Sequence, residues 1–591
     1  MQRHIPLPYL PTSGQECKAL GWNFVDIILV TGDAYIDHPS FGVALIGRLL
    51  ESHGYRVAIL PQPHYDHLKD FRQFGRPRLF FGITAGNLDS IVANYSGNGK
   101  VRTTDAYSPS GNPWFDQAQT RNNRRRPDRA VSLYANLARA AFKDITVILG
   151  GVEASLRRFI HYDYKQDRLR GSVLTDAKAD LLIYGMGEKS VILTAQAIAE
   201  GRTLNGIPGT CRRMTDREMA AQFPNMVSPA QVSSLQILPS WDDIAARRDA
   251  FMEAERTVDR QARSCSQDIL AQRQQNTWLV QYPPPPPLST EEMDAVYELP
   301  FSRKPHPGSP DIPAYHMIRH SITIVRGCSG NCSFCAISRH QGPVVSSRSK
   351  ESIVREAAAV RNMDDFRGTI TDLGGPTANL YQTACSQKKC SKHDCLYPEI
   401  CPHLHLDATA LIKVLQDVLA IEGINHVFIS SGLRMELLLQ CPSLLEALIR
   451  DHLPGSIKIA PEHTENDILS LMHKESHQKL CDFINLCRKV AKSIGKEIHF
   501  NPYIITAHPG CTVQHSRRMI HKLAKLGIQV RQFQDFTPTP GTLSTAMYVT
   551  GLHRDSKARI FIPKNQSEKK RQRQILEENR PLTPEKAKRR P

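Results

Sequence analysis

The sequence predicts an α/β protein in two parts: an N-terminal doubly wound parallel-sheet domain, then a partial, TIM-like (β/α)6 barrel. Three observations predict it. Short apolar runs alternate with amphipathic helical stretches along most of the chain, the order that lays helices on both faces of a parallel sheet. The run Pro283 to Pro287 continues neither a helix nor a central strand and favours an extended spacer, so it punctuates the chain. Beyond it, each apolar run is followed by glycine, cysteine or polar residues, on the face where barrel enzymes build their sites. The expected domains are a sheet domain over 1–204, a helical and proline-rich linker over 205–300, a barrel over 301–550 and a basic, flexible tail over 551–591.

In the first domain, Val25-Asp26-Ile27-Ile28-Leu29-Val30 reads as a buried strand. Phe41 to Ser52 reads as a helix with Leu45, Leu49 and Leu50 on one face. Further strands are expected at Arg56 to Leu60, Arg78 to Ile83, Ile145 to Leu149 and Leu181 to Tyr184, with helices at Ala130 to Phe142 and Glu188 to Ala199. The stretches beginning Gly150-Gly151 and Gly185-Met186-Gly187-Glu188 follow strands, where open α/β sheets bind ligands. This Rossmann-like layout is similar to that of cobalamin-binding domains. The base-off pattern D-x-H-x-x-G is absent, however; Asp37-His38-Pro39-Ser40-Phe41-Gly42 has the wrong spacing, so cobalamin is not expected. From about 205 to 282 the chain is polar and reads as helical around Asp242 to Gln274.

Six strand–helix units follow the proline run. The strands are Ile322 to Val325, Gly368 to Asp372, His426 to Ile429, Ile457 to Ala460, Ile498 to Ile505 and Ile528 to Phe533. Helices are expected at Glu351 to Arg361, Ala408 to Ala420, Pro442 to Arg450, Leu480 to Ser493 and Val513 to Leu526. Eight units close a full barrel, so six imply an open one.

Composition narrows the function classes. With 41% apolar and 23% charged residues the chain reads as soluble and globular, and no apolar run reaches the ~18 residues of a membrane span. Met1 to Pro6 lacks the apolar core of a secretory signal. Fourteen cysteines in such a chain point to a reducing compartment and to metal work, and the expected location is the cytoplasm. The net charge of +17 keeps RNA among the partners to test, with the excess concentrated in Arg121-Asn122-Asn123-Arg124-Arg125-Arg126 and in the tail from Lys564 to Pro591.

The chemistry is concentrated in Arg326-Gly327-Cys328-Ser329-Gly330-Asn331-Cys332-Ser333-Phe334-Cys335, which directly follows the first barrel strand. Thiolates hold iron–sulfur clusters, usually four to a four-iron cube, so three local ones leave an iron open to a small molecule. A structural zinc loop is the competing reading, but it needs a fourth ligand and usually arrives as paired C-x2-C knuckles. The C-x3-C-x2-C loop resembles the radical S-adenosylmethionine (SAM) signature. That resemblance implies a radical SAM barrel in which Cys328, Cys332 and Cys335 hold a [4Fe–4S] cluster and SAM binds the open iron. It also implies an electron donor such as flavodoxin or ferredoxin. Gly374-Gly375 resembles the glycine pair that brings backbone carbonyls to the SAM amino group; Pro376 replaces the usual acidic residue, which leaves that contact to the main chain. Ser430, Arg434 and Glu462 are candidate partners of the SAM ribose and carboxylate, with an Arg434–Glu462 salt bridge as the structural alternative. His463 and His508 are candidate acid–base groups or, equally, hydrogen-bonded supports.

A second group, Cys385, Cys390, Cys395 and Cys401 with His403 and His405 beyond, has spacing suited to a closed site for zinc or an auxiliary cluster. Cys17, Cys211, Cys265, Cys441, Cys481, Cys487 and Cys511 read as solitary core or surface residues. The runs Glu291 to Phe301, Arg326 to Gly342, Asp372 to Asn379 and Lys458 to Thr464 resemble the YgiQ-type family of radical SAM proteins. Its members often continue beyond the point where this chain ends in a short basic tail. The resemblance implies a cluster and SAM but supplies no substrate. Two other readings are carried forward. One is an RNA-modifying enzyme, since Asp535 to Thr542 is similar to a turn of the methylthiotransferases; the other is a non-catalytic protein stabilised by metal in both cysteine loops.

Overall fold

The computed structural model describes residues 7–116, 119–224, 235–264, 266–387, 390 and 394–579. Its first sheet starts from β1 (Ile27–Thr31), buried at every position as a strand covered on both faces must be. β2 (Val57–Pro61), β3 (Phe80–Ile83), β4 (Val147–Leu149) and β5 (Leu181–Ile183) join it in the parallel order β2-β1-β3-β4-β5. Alternate side chains of β1 point to opposite faces. Ile27 and Leu29 pack with Val43 and Leu50 of α1 (Gly42–Ser52), whereas Ile28 and Val30 pack with Val131 and Tyr134 of α2 (Ala130–Ala141). α3 (Glu188–Ala199) lies on the α1 face through Val191 and Ala195.

The stretch expected as a linker is instead part of this sheet. β6 (Thr210–Met214), β7 (Leu235–Leu238), β8 (Ile269–Gln274) and β9 (Thr277–Gln281) extend it to nine strands in the order β5-β6-β9-β8-β7. The reason for the mismatch is the glutamines. Gln272, Gln274 and Gln281 are buried strand residues whose amides are consumed: Gln272 accepts from the Ile160 N–H at 3.1 Å and Gln274 from the Ser172 N–H at 2.8 Å. A buried amide with partners costs little, so a strand can hide in a polar sequence. The helical expectation for 242–274 holds only in part, with α4 (Arg248–Ser264) its main element.

Six barrel positions follow in sequence order. β10 (Ser321–Thr323) pairs with β12 (Asp372–Gly374), and β11 (Thr369–Ile370) pairs with β13 (His426–Val427). β14 (Ser456–Glu462), β15 (His499–Thr506) and β16 (Gln532–Asp535) form a parallel three-stranded sheet. The last strand begins four residues later than the apolar run at 528 suggested. Outside lie α5 (Lys350–Arg361), α6 (Ala408–Leu419), α7 (His477–Ser493) and α8 (Val513–Lys525), whose Ile353, Leu411, Phe483 and Met519 share one core with Ile322, Val427 and Ile457.

Nor is the segment after 550 simply a flexible tail. α9 (Gln566–Glu578) buries Gln572 and Leu576 against the barrel. Gln572 donates to the Cys511 carbonyl at 2.8 Å and accepts from the Ala507 N–H at 3.0 Å, and Arg573 pairs with Asp535 at the end of β16. Its buried face is too sparse in apolar residues to show in a charge-rich sequence. Cys265 and residues 580–591 lie outside the described residues. No helix among the described residues is long and apolar enough to cross a membrane.

Candidate active site

The cysteine loop leaves the first barrel strand in a form that glycine makes available. Gly327 sits at φ +79°, where an added Cβ would meet the Val344 carbonyl oxygen at 2.1 Å. Cys328 N–H donates to the Gly342 carbonyl at 3.2 Å. Further on, Ser333 donates to Met472, accepts from the Ser544 N–H at 2.8 Å through its carbonyl, and takes a 2.7 Å hydrogen bond from Arg554 at its hydroxyl. Three parts of the chain therefore fix the loop.

Arg434 faces the thiols. Its Nη2 lies 3.4 Å from Cys332 Sγ and 3.9 Å from Cys328 Sγ, and its Nη1 donates to Glu436 Oε1 at 3.0 Å. The Arg434–Glu462 salt bridge is not formed; Glu436, two residues on, takes that role. Asn379 grips the Arg434 backbone on both sides, accepting from its N–H and donating to its carbonyl, each at 2.9 Å. Burial opposes ionisation of Cys328, but the Arg434 charge, the Gly330 N–H and the Thr377 hydroxyl outweigh it and hold this thiol below its ordinary value. Burial pushes Cys332 up and, with the neighbouring Cys332 charge, Cys335 to about 12.

Around Arg434 is a nest of buried charge that sequence reasoning missed in part. Lys474 Nζ lies 3.1 Å from Glu475 Oε2, yet among the described residues Glu475 Oε1 and Glu436 Oε2 have no hydrogen-bond partner. Glu462 is buried at φ +62°, a left-handed conformation rare outside glycine, where β14 slips register against β15. Burial, reinforced by the Glu475 charge against the opposing Lys474, lifts Glu462 to about 7. Lys474 and Glu475 follow a short helix in an ordinary polar stretch, and only their burial in the fold marks them.

Gly374 and Gly375 are glycine by necessity, since added Cβ atoms would fall 1.9 Å from Ser431 Oγ and 2.3 Å from the Val325 carbonyl oxygen. Ser430 is already engaged: its hydroxyl donates to the Thr371 carbonyl at 2.8 Å, and its N–H, like that of Ser431, donates to Asp372. His463 and His508 are both engaged within the protein. His463 Nδ1 accepts from the Glu465 N–H at 3.1 Å and its Nε2 lies 3.6 Å from Cys511 Sγ. His508 bonds the Pro509 carbonyl at 2.8 Å and Ser544 at 2.7 Å. Burial lowers both to about 3.

A cavity of about 550 Å³ opens between the strand ends of the first sheet and the cysteine loop. Thr84, Gly150 and Gly185 line it on the sheet side, and Tyr297, His340 and Gly375 on the barrel side. Arg326 spans the two halves, pairing with Glu188 at the start of α3 and accepting the Tyr297 ring 4.9 Å below its guanidinium. The prolines 284–287 line a smaller cavity with residues 338–344.

The basic patch at 121–126 is partly interior: Arg126 is buried on Asp33 and Asp105, and Arg124 is buried over the Trp114 ring at 4.7 Å, whereas Arg125 is half-buried. The charges of Arg124 and Arg126 serve the interior. Among the described residues only the exposed trio His64, Asp66 and His67 brings three ligand atoms within 4.8 Å of one another, so the three thiols of the 328–335 loop are not drawn together as around a single ion. With their open side facing buried carboxylates that lack donors, they fit a four-iron cluster bearing a small-molecule ligand.

Two family profiles match the chain: one described as Radical SAM N-terminal, over residues 9–321, and one as Radical SAM superfamily, over 322–523. They define the class, and the protein is an enzyme of it. A UPF0313 protein from Methanocella arvoryzae is 42% identical over 571 residues, covering 96% of this chain and 92% of that one. Another from Rhodopseudomonas palustris is 42% identical over 567 residues, covering 93% and 82%. The chain belongs to the UPF0313, or YgiQ-type, family of radical SAM proteins. Among solved structures, the radical SAM methyltransferase TsrM from Kitasatospora setae, with tryptophan and a SAM analogue bound, is similar at TM-score 0.49 and 15% identity, covering 87% of this chain and 74% of that one. The cobalamin-dependent radical enzyme OxsB, with aqua-cobalamin bound, is similar at TM-score 0.46 and 9% identity, covering 89% and 55%.

Proposed function

We propose that Cys328, Cys332 and Cys335 hold a [4Fe–4S] cluster, that the nest around Arg434 holds SAM, and that the substrate lies in the cavity between the two domains. When bound, cluster and SAM supply reductive cleavage to methionine and a 5′-deoxyadenosyl radical, with one electron from a flavodoxin- or ferredoxin-type donor. The chain's own part is positioning and exclusion of water. Arg434 and Lys474 offer charge to the SAM carboxylate, and the donorless oxygens of Glu475 and Glu436 offer acceptors to its ammonium group. Asn379 fixes the backbone from which Arg434 reaches. Gly375 brings main chain to the cavity wall where a side chain would not fit.

The cavity also limits the substrate. Its charged lining residues are already paired, Asp33 with Arg126 and Glu188 with Arg326, and the remaining wall is mostly apolar or main chain. That surface suits a neutral, largely apolar part of a ligand. A titration of the protein with aquacobalamin, followed by its visible spectrum, decides whether the same space takes a corrinoid.

The observation that carries the reading is the set of three thiols on one loop, faced by Arg434 and by buried carboxylate oxygens without donors. The test is 5′-deoxyadenosine formation, measured by mass spectrometry on anaerobically reconstituted protein reduced with dithionite in the presence of SAM. Formation that disappears in Cys332→Ala supports the reading. Fully metal-loaded wild-type protein that forms none overturns it.

A further inference from the structure

The second cysteine group has an architecture of its own. Ala384 and Cys385 pair antiparallel with Leu404 and His405, and Ser386 N–H donates to the His403 carbonyl at 3.0 Å, so the loop is closed at its base. Within it, Cys401 N–H donates to the Cys395 carbonyl at 2.8 Å and Leu404 N–H to the Cys401 carbonyl at 3.0 Å, a turn that sets Cys395 and Cys401 together. Outside ties hold the loop in place: Asp394 pairs with Arg263 of α4 at 2.8 Å, and Tyr397 stacks on His473 with ring centres 4.3 Å apart. The Cys395 thiol has the thiols of Cys401, Cys390 and Cys385 as electrostatic neighbours. Among the described residues no disulfide joins these cysteines.

Four cysteines share this closed polar loop, with Cys401 drawn into the interior. A metal that takes their thiolates would tie the loop together, as it does in small metal-folded domains. We propose that Cys385, Cys390, Cys395 and Cys401 form a second, closed centre that holds an iron–sulfur cluster distinct from the one at 328–335. Four thiolates satisfy a cluster completely and leave no iron open. Zinc, at about 2.3 Å from each sulfur, would draw four thiolates to about 3.8 Å from one another. Among the described residues no three of these sulfurs lie within 4.8 Å of one another, wider than a single zinc would hold them. The two loops are neighbours: Cys395 and Cys328 pack on the same apolar group of Leu380, Leu396 and Leu437.

The test isolates this site from the first. The full chain carrying Cys328→Ala, Cys332→Ala and Cys335→Ala is reconstituted anaerobically with ferrous iron and sulfide, then analysed for iron, sulfide and zinc and by Mössbauer spectroscopy. About four irons and four sulfides per chain are expected to remain. They are expected to be lost when the exposed Cys385 and Cys390 are also changed, by Cys385→Ser and Cys390→Ser, while circular dichroism is unchanged. A triple variant that holds no iron, or holds one zinc per chain instead, overturns the proposal. The readout does not involve SAM cleavage, so it stands apart from the outcome of that experiment.

Discussion

The two cysteine loops gather thiols in opposite ways. The loop at 328–335 brings three, pinned from three parts of the chain and faced by Arg434, Glu436, Lys474 and Glu475. The loop at 385–401 brings four, closed by its own short antiparallel pair and tied outward through Asp394 to Arg263. An open centre needs the surrounding protein to hold the ligand that completes it, whereas a closed centre completes itself. In the reading proposed above, the buried charge around Arg434 marks where SAM enters.

Substitutions separate the two loops, and the largest effect is expected from Cys332→Ala, with 5′-deoxyadenosine formation falling to background. Next, Arg434→Ala removes a buried charge from its thiol and carboxylate partners. SAM binding should weaken by about a hundredfold, corresponding to roughly 2.7 kcal/mol at the low end of such losses, while the iron of the 385–401 loop is retained. Equilibrium binding of SAM to the reconstituted protein checks it. Glu188→Ala breaks the buried Arg326 pair between the domains and should lower unfolding free energy by about 3 kcal/mol in denaturant titration.

A smaller effect lies in pH. Glu462 has a folded value raised to about 7 by burial, so between its ordinary carboxylate range and pH 7 the folded protein binds more protons than the unfolded chain. Stability must therefore fall as pH rises through that window. Glu462→Gln should flatten this slope between pH 5 and pH 8 in denaturant titrations of the metal-free protein. The smallest effect is expected from Arg573→Ala at the α9–β16 contact, about 1 kcal/mol, because that arginine is itself one-third exposed.

The same comparison shows what a sequence displays. The alternation of strands and helices, the six barrel positions and both cysteine loops were legible because apolar periodicity and cysteine spacing are local signals. Gly374 and Gly375 were legible too, since close backbone approach demands glycine. The strands of 205–300 were not, because their buried glutamines are satisfied in part by partners more than a hundred residues away. Arg124 and Arg126 lie in a basic run, yet Arg126 finds its partner Asp33 ninety-three residues earlier and Arg124 stacks on Trp114. Lys474 and Glu475 carried no local mark, and the Arg434–Glu436 pairing depends on a guanidinium reaching toward a loop a hundred residues earlier.

The central claim is that the 328–335 cluster has an open iron whose ligand is SAM. Electron–nuclear double resonance on the reduced, reconstituted protein with SAM labelled by 15N at its amino group tests it most directly. The account predicts a 15N coupling to the cluster in wild-type protein and in Cys385→Ser, with a weaker population in Arg434→Ala. A reduced cluster whose spectrum is unchanged at saturating SAM, with no such coupling, would contradict it.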